Sequence, residues 1–197
     1  MISPLHAGSG SREPQLADQA CIDLKARYRR PNDEVYAQML IGTVRNCVDV
    51  MVITSSLRVL MGLRVNDPWR GHWHPSGGGQ IPGESYGETG ARHLMRDIGL
   101  IVDPARLHFV NSASFPWSTS AQGVPCHLNG VLVAAEFTAE EIGSVSRTGD
   151  FAQSKFFSLY DVTEKEGFHP AIALGARLLL HNLRQGRLGT IPPELLT

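Results

Sequence analysis

The segment from Gly78 to Leu100 constrains this chain most, because it specifies a helix with both ends and a buried side. Ser85 and Glu88 have the spacing of a capping box, in which each side chain bonds the other residue's backbone. Gly99 supplies the left-handed residue at which helices end. Apolar residues between them recur at helical spacing and predict a core-facing side: Ala91, Leu94, Met95 and Ile98. The opposite side then presents four polar residues: Arg92, His93, Arg96 and Asp97.

Three consecutive glycines, Gly77, Gly78 and Gly79, precede this helix. A backbone without Cβ atoms lets an anion or a metal-bound phosphate approach closely, so these glycines are candidate substrate-binding residues. No Gly-Lys-Ser/Thr sequence follows, so this is not a Walker A loop. The alternative interpretation is a glycine-rich turn without a ligand.

The spacing of this segment resembles the Nudix box, in which a glycine and a glutamate precede Arg-Glu-apolar-x-Glu-Glu-x-Gly-apolar. Six residues match this pattern without insertion or deletion: Gly78, Glu84, Arg92, Leu94, Gly99 and Leu100. The box glutamates are the departure, because His93 and Arg96 stand at the first two positions and only Asp97 keeps a carboxylate. The resemblance implies an α/β protein with the Nudix fold, an α/β/α sandwich with a mixed β-sheet.

One Nudix subfamily, the GDP-mannose mannosyl hydrolases, also lacks two of these glutamates. The resemblance to it continues upstream, through Val59 to Arg64, Asn66, Pro68 and Gly71-His-Trp73. It implies a Mg²⁺-dependent hydrolase of a nucleoside diphosphate linked to another moiety, such as a nucleotide sugar. Two alternatives stay open. One is a catalytically impaired Nudix-fold protein that binds nucleotide or phosphate, and the other is a Nudix-like enzyme of a biosynthetic pathway.

The resemblance also implies the ligands of the metal ion. The Gly78 carbonyl, the Asp97 carboxylate and a side chain from the loop before the last strand would hold Mg²⁺, with Mn²⁺ as the alternative ion. Gln153 is the nearest loop candidate, and Glu84 and Asp150 would assist. Oxygen ligands suit such a hard cation.

For substrate binding, the resemblance assigns Arg64 to a phosphate and Asp49 to the sugar nucleotide. A carboxylate inside an apolar strand needs a purpose or a partner, so the alternative is that Asp49 pairs with an arginine. Arg92 is either a phosphate ligand or a structural ion-pair former.

The catalytic base is not given by the resemblance, because Ser154 stands where the subfamily has its histidine. We keep His93, His127 and Glu84 as candidates. His93 is otherwise a metal ligand or a surface residue. Because Gly79 and Leu128 also replace subfamily residues, guanine and mannose specificity are not transferred.

The remaining pattern predicts a hairpin of Cys47 to Thr54 and Leu57 to Arg64, and helices at Glu34 to Leu40 and Pro170 to Arg184. Three further predicted strands are Leu107 to Ser114, Leu128 to Phe137 and Lys155 to Leu159. We expect a tail with a short helix over residues 1–33 and a Nudix domain over residues 34–197.

Composition excludes several classes of partner. A net charge of -1 and 19% charged residues give no electrostatic footprint for nucleic acid or an anionic membrane. Cys21, Cys47 and Cys126 form neither a disulfide framework nor a zinc motif. We therefore predict a cytoplasmic protein with a small-molecule partner, and a homodimer as an option for its assembly.

Overall fold

The computed structural model describes residues 24–143, 151–164 and 167–186, in which a mixed sheet lies between two layers of helices. The elements in chain order are α1 (Asp33–Gly42), β1 (Val44–Ile53), β2 (Arg58–Arg64), β3 (Trp73–His74), β4 (Ser76–Gly79), α2 (Tyr86–Ile98), a 3₁₀ turn (Pro104–Arg106), β5 (His108–Trp117), β6 (Cys126–Glu136), α3 (Ala139–Gly143), β7 (Phe151–Ser158), α4 (Leu159–Glu164) and α5 (Pro170–Arg184).

Strand β1 is central to the sheet, whose main path runs β3-β2-β1-β6-β5. It pairs in parallel with β6 from Val44 opposite His127 to Ile53 opposite Glu136, and antiparallel with β2 and β4. Strand β7 extends the sheet by pairing with β2. Because successive side chains of a strand point to opposite faces, β1 contributes residues to both layers.

Each face of the sheet covers its own apolar core. Val48, Val50 and Val52 of β1 pack with Leu94 and Ile98 of α2 on one face. On the other face Met51 and Ile53 pack with residues of α4 and α5: Leu159, Val162, Ile172, Ala176, Leu179, Leu180 and Leu183. The expected α/β/α sandwich with a mixed sheet is therefore confirmed.

Helix α2 begins and ends where the sequence predicts. Ser85 and Glu88 form the complete capping box, and Gly99 ends the helix with a φ of 70°. The predicted faces are partly wrong, because Met95 is 52% exposed while His93 and Asp97 are only 2% and 1% exposed. The cause is that α2 packs against β4 as well as against the sheet core, so it has two covered sides.

The other elements match their predictions with shifted bounds. Helix α1 begins after Asn32, whose side chain accepts from the Val35 amide, and α5 occupies its predicted range. Strand β7 starts at Phe151, earlier than expected, because its ladder with β2 continues past a bulge to Arg64. Strand β5 likewise runs on to Trp117.

Most of the N-terminal segment lies outside the described residues, as does Asp150. Of the predicted short helix, residues 24–27 are helical, and Lys25 Nζ donates to Glu88 Oε1 at 2.8 Å. The proposed boundary near residue 33 stays a prediction. None of the described helices combines the length and apolar character needed to cross a membrane.

Candidate functional site

Strand β4 contains three consecutive glycines and lies between two groups of candidate residues, one on each of its faces. A Cβ atom on Gly77 would lie 2.2 Å from Asp49 Oδ1, and one on Gly79 would lie 2.2 Å from an Arg45 nitrogen. On the other face, a Cβ on Gly78 would lie 2.8 Å from the His93 ring, and its φ of 152° also favours glycine. We call the face toward Asp49 the pocket side and the face toward α2 the helix side.

The pocket side holds a cavity of about 200 Å³. Its walls come from α1, the strands β1 to β6, the loops at residues 67–69 and 120–122, and the start of α5. Five of the predicted substrate-binding residues lie here: Asp49, Arg64, Gly77, Gly78 and Gly79. The structure therefore brings together the residues that the sequence assigned to substrate.

Two arginines give this cavity cationic donors. Arg45 Nε and Arg64 Nε are buried and have no hydrogen-bond partner, and both side chains line the cavity. Arg45 also lies over the Tyr36 ring, 4.8 Å from its centroid. A buried donor without a partner is costly, so these guanidinium groups are suited to receive an anionic ligand.

Asp49 and His74 form a titratable pair in the same cavity, with Asp49 Oδ2 and His74 Nε2 3.8 Å apart. His74 Nδ1 lies 2.9 Å from the Pro75 carbonyl, which can only accept, so Nδ1 carries a proton and Nε2 is left for Asp49. Burial raises the pKa of Asp49 and lowers that of His74, while the attraction between them opposes both shifts. Asp49 and His74 are thus an acid–base pair whose facing atoms are farther apart than a hydrogen bond.

Aromatic rings close the far end of the cavity. The His169 ring lies 4.2 Å from that of Trp69 and 4.9 Å from that of Trp117, with Phe115 beside them. Burial, reinforced by His74 and His72, lowers the pKa of His169 to about 4, so this ring is neutral at pH 7. Such a wall suits a planar ring or an apolar group.

On the helix side, Glu84 is held by a closed hydrogen-bond network. Arg92 donates to both of its oxygens, from Nε at 2.7 Å and from Nη2 at 2.8 Å, and Thr89 Oγ1 donates at 2.9 Å. Burial alone would raise the pKa of Glu84, but these hydrogen bonds hold it below its usual value. Arg92 Nη2 also donates to the Gly79 carbonyl at 3.0 Å. Arg92 therefore has the contacts of a structural ion-pair former.

Asp97 is held in the same way by its neighbours. Ser76 Oγ donates to its Oδ2 at 2.8 Å, and Arg96 Nε donates to its Oδ1 at 2.5 Å. Arg96 Nη2 reaches the Gly77 carbonyl at 3.0 Å. Both Asp97 oxygens are thus engaged by protein donors.

His93 is buried, so its interpretation as a surface residue is wrong. Its Nε2 lies 3.2 Å from the Gly79 carbonyl and therefore carries the proton, while Nδ1 has no partner. Burial, with Arg96 and Arg92 nearby, lowers its pKa to about 4. His93 is a neutral donor that fastens α2 to β4.

Two predicted site residues lie away from both groups. His127 Nε2 is 2.6 Å from Ser114 Oγ, and His127 alternates along β6 with Cys126 and Leu128, which line the cavity. Gln153 is exposed in β7 opposite Leu63, within a strand and not in the loop before it.

The donors around Asp97 do not fit the metal ion that the resemblance implies. No group of three His, Cys, Asp or Glu side chains with metal-binding geometry occurs in the part of the chain that the structure describes. The Arg96 guanidinium already lies against Asp97 and the glycine strand. Two unit charges ~4 Å apart interact by about 4 kcal/mol near a protein surface, and a divalent ion would double that repulsion.

Sequence reasoning did not assign Arg45, Trp69 or Trp117 to the site, and it favours packing over metal binding for His74, yet all four line the cavity. Arg45 lies an even number of residues before Asp49 and so shares its face, but the predicted strand begins only at Cys47, two residues after Arg45. Trp69 and Trp117 had no signal in the sequence, because a loop and a distant strand bring them together.

Comparison with known proteins gives a match for the fold. No protein-family model and no curated protein matches the chain. Among solved structures, it matches a MutT protein from Methanosarcina mazei Go1 with a TM-score of 0.57 and 15% identity, over 71% of this chain and 95% of that one. This chain has the Nudix fold.

Two further similar structures carry ligands. The Nudix domain of Shewanella oneidensis NrtR, a complex with ADP ribose, matches with a TM-score of 0.53 and 20% identity over 83% of this chain and 99% of that one. A Francisella tularensis bifunctional NMN adenylyltransferase/ADP ribose pyrophosphatase, complexed with AMP and a manganese ion, matches with a TM-score of 0.50 and 16% identity, over 79% and 46%. At such identities the likeness establishes the Nudix fold alone; we call α2 the box helix because it carries Arg92 to Asp97 of the segment that resembles the Nudix box.

Proposed function

We propose that this protein is a Nudix-type hydrolase of a nucleoside diphosphate joined to a second group, such as a sugar, bound on the pocket side of β4. The observation that carries this proposal is the pair of buried, unpartnered Nε groups of Arg45 and Arg64 beside the glycine strand. Two guanidinium groups next to a backbone without side chains suit a diphosphate, whose oxygens accept several charged hydrogen bonds.

The rest of the cavity suits the two ends of such a substrate. The rings of Trp69, Trp117 and His169 offer a stacking surface for a nucleobase, while Asp49 accepts from a hydroxyl or amino group. ADP ribose, the ligand of one similar structure, belongs to this chemical class and supports the proposal, and AMP, the ligand of the other, is a nucleotide fragment of such a compound.

In the proposed reaction, the Asp49–His74 pair accepts the proton of the attacking water. The water oxygen bonds to carbon or phosphorus, the bond to the leaving phosphate oxygen breaks, and Arg45 and Arg64 stabilise the resulting negative charge. The earlier base candidates are less well placed: Glu84 and His93 are enclosed on the helix side, and His127 contacts Ser114.

The test is a panel of nucleotide sugars, dinucleotides and ADP ribose, assayed with and without Mg²⁺ or Mn²⁺. We expect turnover of at least one of them and a loss of at least 100-fold in kcat for Asp49→Asn. Glu140→Gln, at an exposed position on α3, is the control for removal of one carboxylate. A folded protein that neither binds nor cleaves any compound of the panel would refute the proposal.

A second candidate function is nucleotide binding without hydrolysis. The engagement of both Asp97 oxygens by Ser76 and Arg96 supports it, because that carboxylate is then not available to hold the metal ion that the resemblance implies for hydrolysis. Calorimetry separates the two functions: saturable binding of a panel compound with no product would establish the binding protein. The predicted homodimer remains a proposal that sedimentation would test.

A further inference from the structure

We infer that the Arg96 guanidinium takes the place of the divalent cation at the box helix, so that the protein carries a fixed cation there. This inference goes beyond the proposed function and does not depend on it. Its basis is the contact set of one side chain, which joins α2 to the glycine strand.

The oxygens that Arg96 contacts are of the same two kinds that the resemblance assigns to the ion. Its Nε donates to Asp97 Oδ1 at 2.5 Å, and its Nη2 donates to the Gly77 carbonyl at 3.0 Å. The implied metal ligands are likewise the Asp97 carboxylate and a carbonyl of this strand, that of Gly78. A single positive group therefore joins a helix carboxylate to a strand carbonyl, as the ion would.

The surroundings of Asp97 are adapted to this arrangement. Asp97 is 1% exposed, and its other oxygen accepts from Ser76 Oγ at 2.8 Å. Glu84, the next box carboxylate, is neutralised by two hydrogen bonds from Arg92. Each of these two negative charges thus has a cationic partner supplied by α2, which leaves little net charge to attract a divalent ion.

The inference makes a direct statement about metal binding, without any nucleotide. Wild-type protein should show no saturable Mn²⁺ binding below about 1 mM by electron paramagnetic resonance of free Mn²⁺. Arg96→Glu removes the guanidinium and adds a carboxylate beside Asp97, so we expect one Mn²⁺ to bind at least 10-fold more tightly. Arg177→Glu, at an exposed position of α5, changes the net charge equally and should leave Mn²⁺ binding as in wild type.

Thermal unfolding with Mn²⁺ and with chelator gives a second readout. The Tm of wild type should be equal in both, while that of Arg96→Glu should rise with Mn²⁺, because a ligand bound only to the folded state stabilises it. If Arg96→Glu does not fold, Arg96→Gln serves instead, since it removes the charge and keeps a donor. Micromolar Mn²⁺ binding by wild type that Asp97→Asn abolishes would overturn the inference. So would folded variants at Arg96 that bind no more Mn²⁺ than Arg177→Glu.

Discussion

The two sides of the glycine strand differ in how their polar groups are satisfied. On the helix side, Glu84 and Asp97 each have a cationic partner and a hydroxyl donor from the chain itself. On the pocket side, Arg45 Nε and Arg64 Nε are buried without partners, and Asp49 has a raised pKa. Apart from His93 Nδ1, the helix-side groups named here are therefore paired within the chain, whereas the two arginine Nε groups of the pocket side are not.

In our proposal, the Nudix-box motif keeps its structural role while its chemical role has changed. Gly78, Glu84, Arg92 and Gly99 still position α2 against β4. His93 and Arg96 then fasten that contact with hydrogen bonds to the carbonyls of Gly79 and Gly77. The unpartnered Nε groups of Arg45 and Arg64 lie on the opposite side of β4.

The largest effect should come from breaking the helix side. Glu84→Ala leaves Arg92, whose side chain is 36% exposed, and the buried Thr89 without their shared acceptor, so the loss should approach the range of about 3–5 kcal/mol for a fully buried ion pair. Chemical denaturation measures the loss in the free energy of unfolding. Glu140→Ala, at an exposed position, should change it by less than about 0.5 kcal/mol. A loss for Glu84→Ala as small as that of the control would show that the network is not structural.

The next effect is a pH dependence on the same side. The pKa of His93 is about 4 in the folded protein and near 6.5 in the unfolded chain. The neutral His93 therefore contributes fully to the free energy of unfolding above pH 6.5, and this contribution is lost as the pH falls toward 4. This difference between the folded and unfolded pKa of His93 corresponds to about 3 kcal/mol in the free energy of unfolding. His93→Gln keeps a donor for Gly79 without titrating, so its free energy of unfolding should fall less than that of wild type between pH 7 and 4. Parallel curves for the two proteins would contradict this assignment.

On the pocket side, Arg64→Ala should weaken binding of the best compound of the panel by about 10- to 100-fold, the value of charged hydrogen bonds of 1.5–3 kcal/mol. The matched control is Arg58→Ala on the same strand, whose guanidinium donates to the Phe156 carbonyl and does not line the cavity. Calorimetry should show affinity reduced for the first variant alone. Equal affinities for both variants would remove Arg64 from the site.

The smallest effect is expected for Gln153→Ala. Gln153 is exposed in β7 opposite Leu63 and does not line the cavity. The free energy of unfolding should stay within about 0.5 kcal/mol of wild type, and the ligand affinity should stay within about twofold. A larger loss of affinity that depends on Mn²⁺ would restore Gln153 as a metal ligand and weaken the contrast between the two sides.

Local signals in the sequence were sufficient for the elements that carry their own boundaries. The ends of α2 follow from Ser85, Glu88 and Gly99, whose interactions lie within a few residues. The N-terminus of α1 follows from Asn32 for the same reason. Asp49 and Arg64 were placed in one site by resemblance, and the structure brings them to one cavity.

The remaining site needed tertiary information. A helical pattern with one apolar side cannot show that α2 also packs on β4, so His93 and Asp97 were expected on the polar side and are buried. Arg96 donates both to its neighbour Asp97 and to the carbonyl of Gly77, which is distant in the sequence. His74 reaches Asp49 only because β3 and β4 fold back along the sheet.

The glycine strand has a consequence for how the two sides influence each other. Its pairing with β1 uses one edge, while the carbonyls of Gly77 and Gly79 accept from Arg96 and Arg92 at the other edge. Positive charge at a carbonyl oxygen draws electron density through the peptide bond and makes the attached amide a stronger donor. The amide attached to the Gly79 carbonyl is that of Gln80, which donates to the Asn46 carbonyl at 3.0 Å, so the cations of α2 strengthen the pairing of β4 with β1, the strand that carries Arg45 and Asp49.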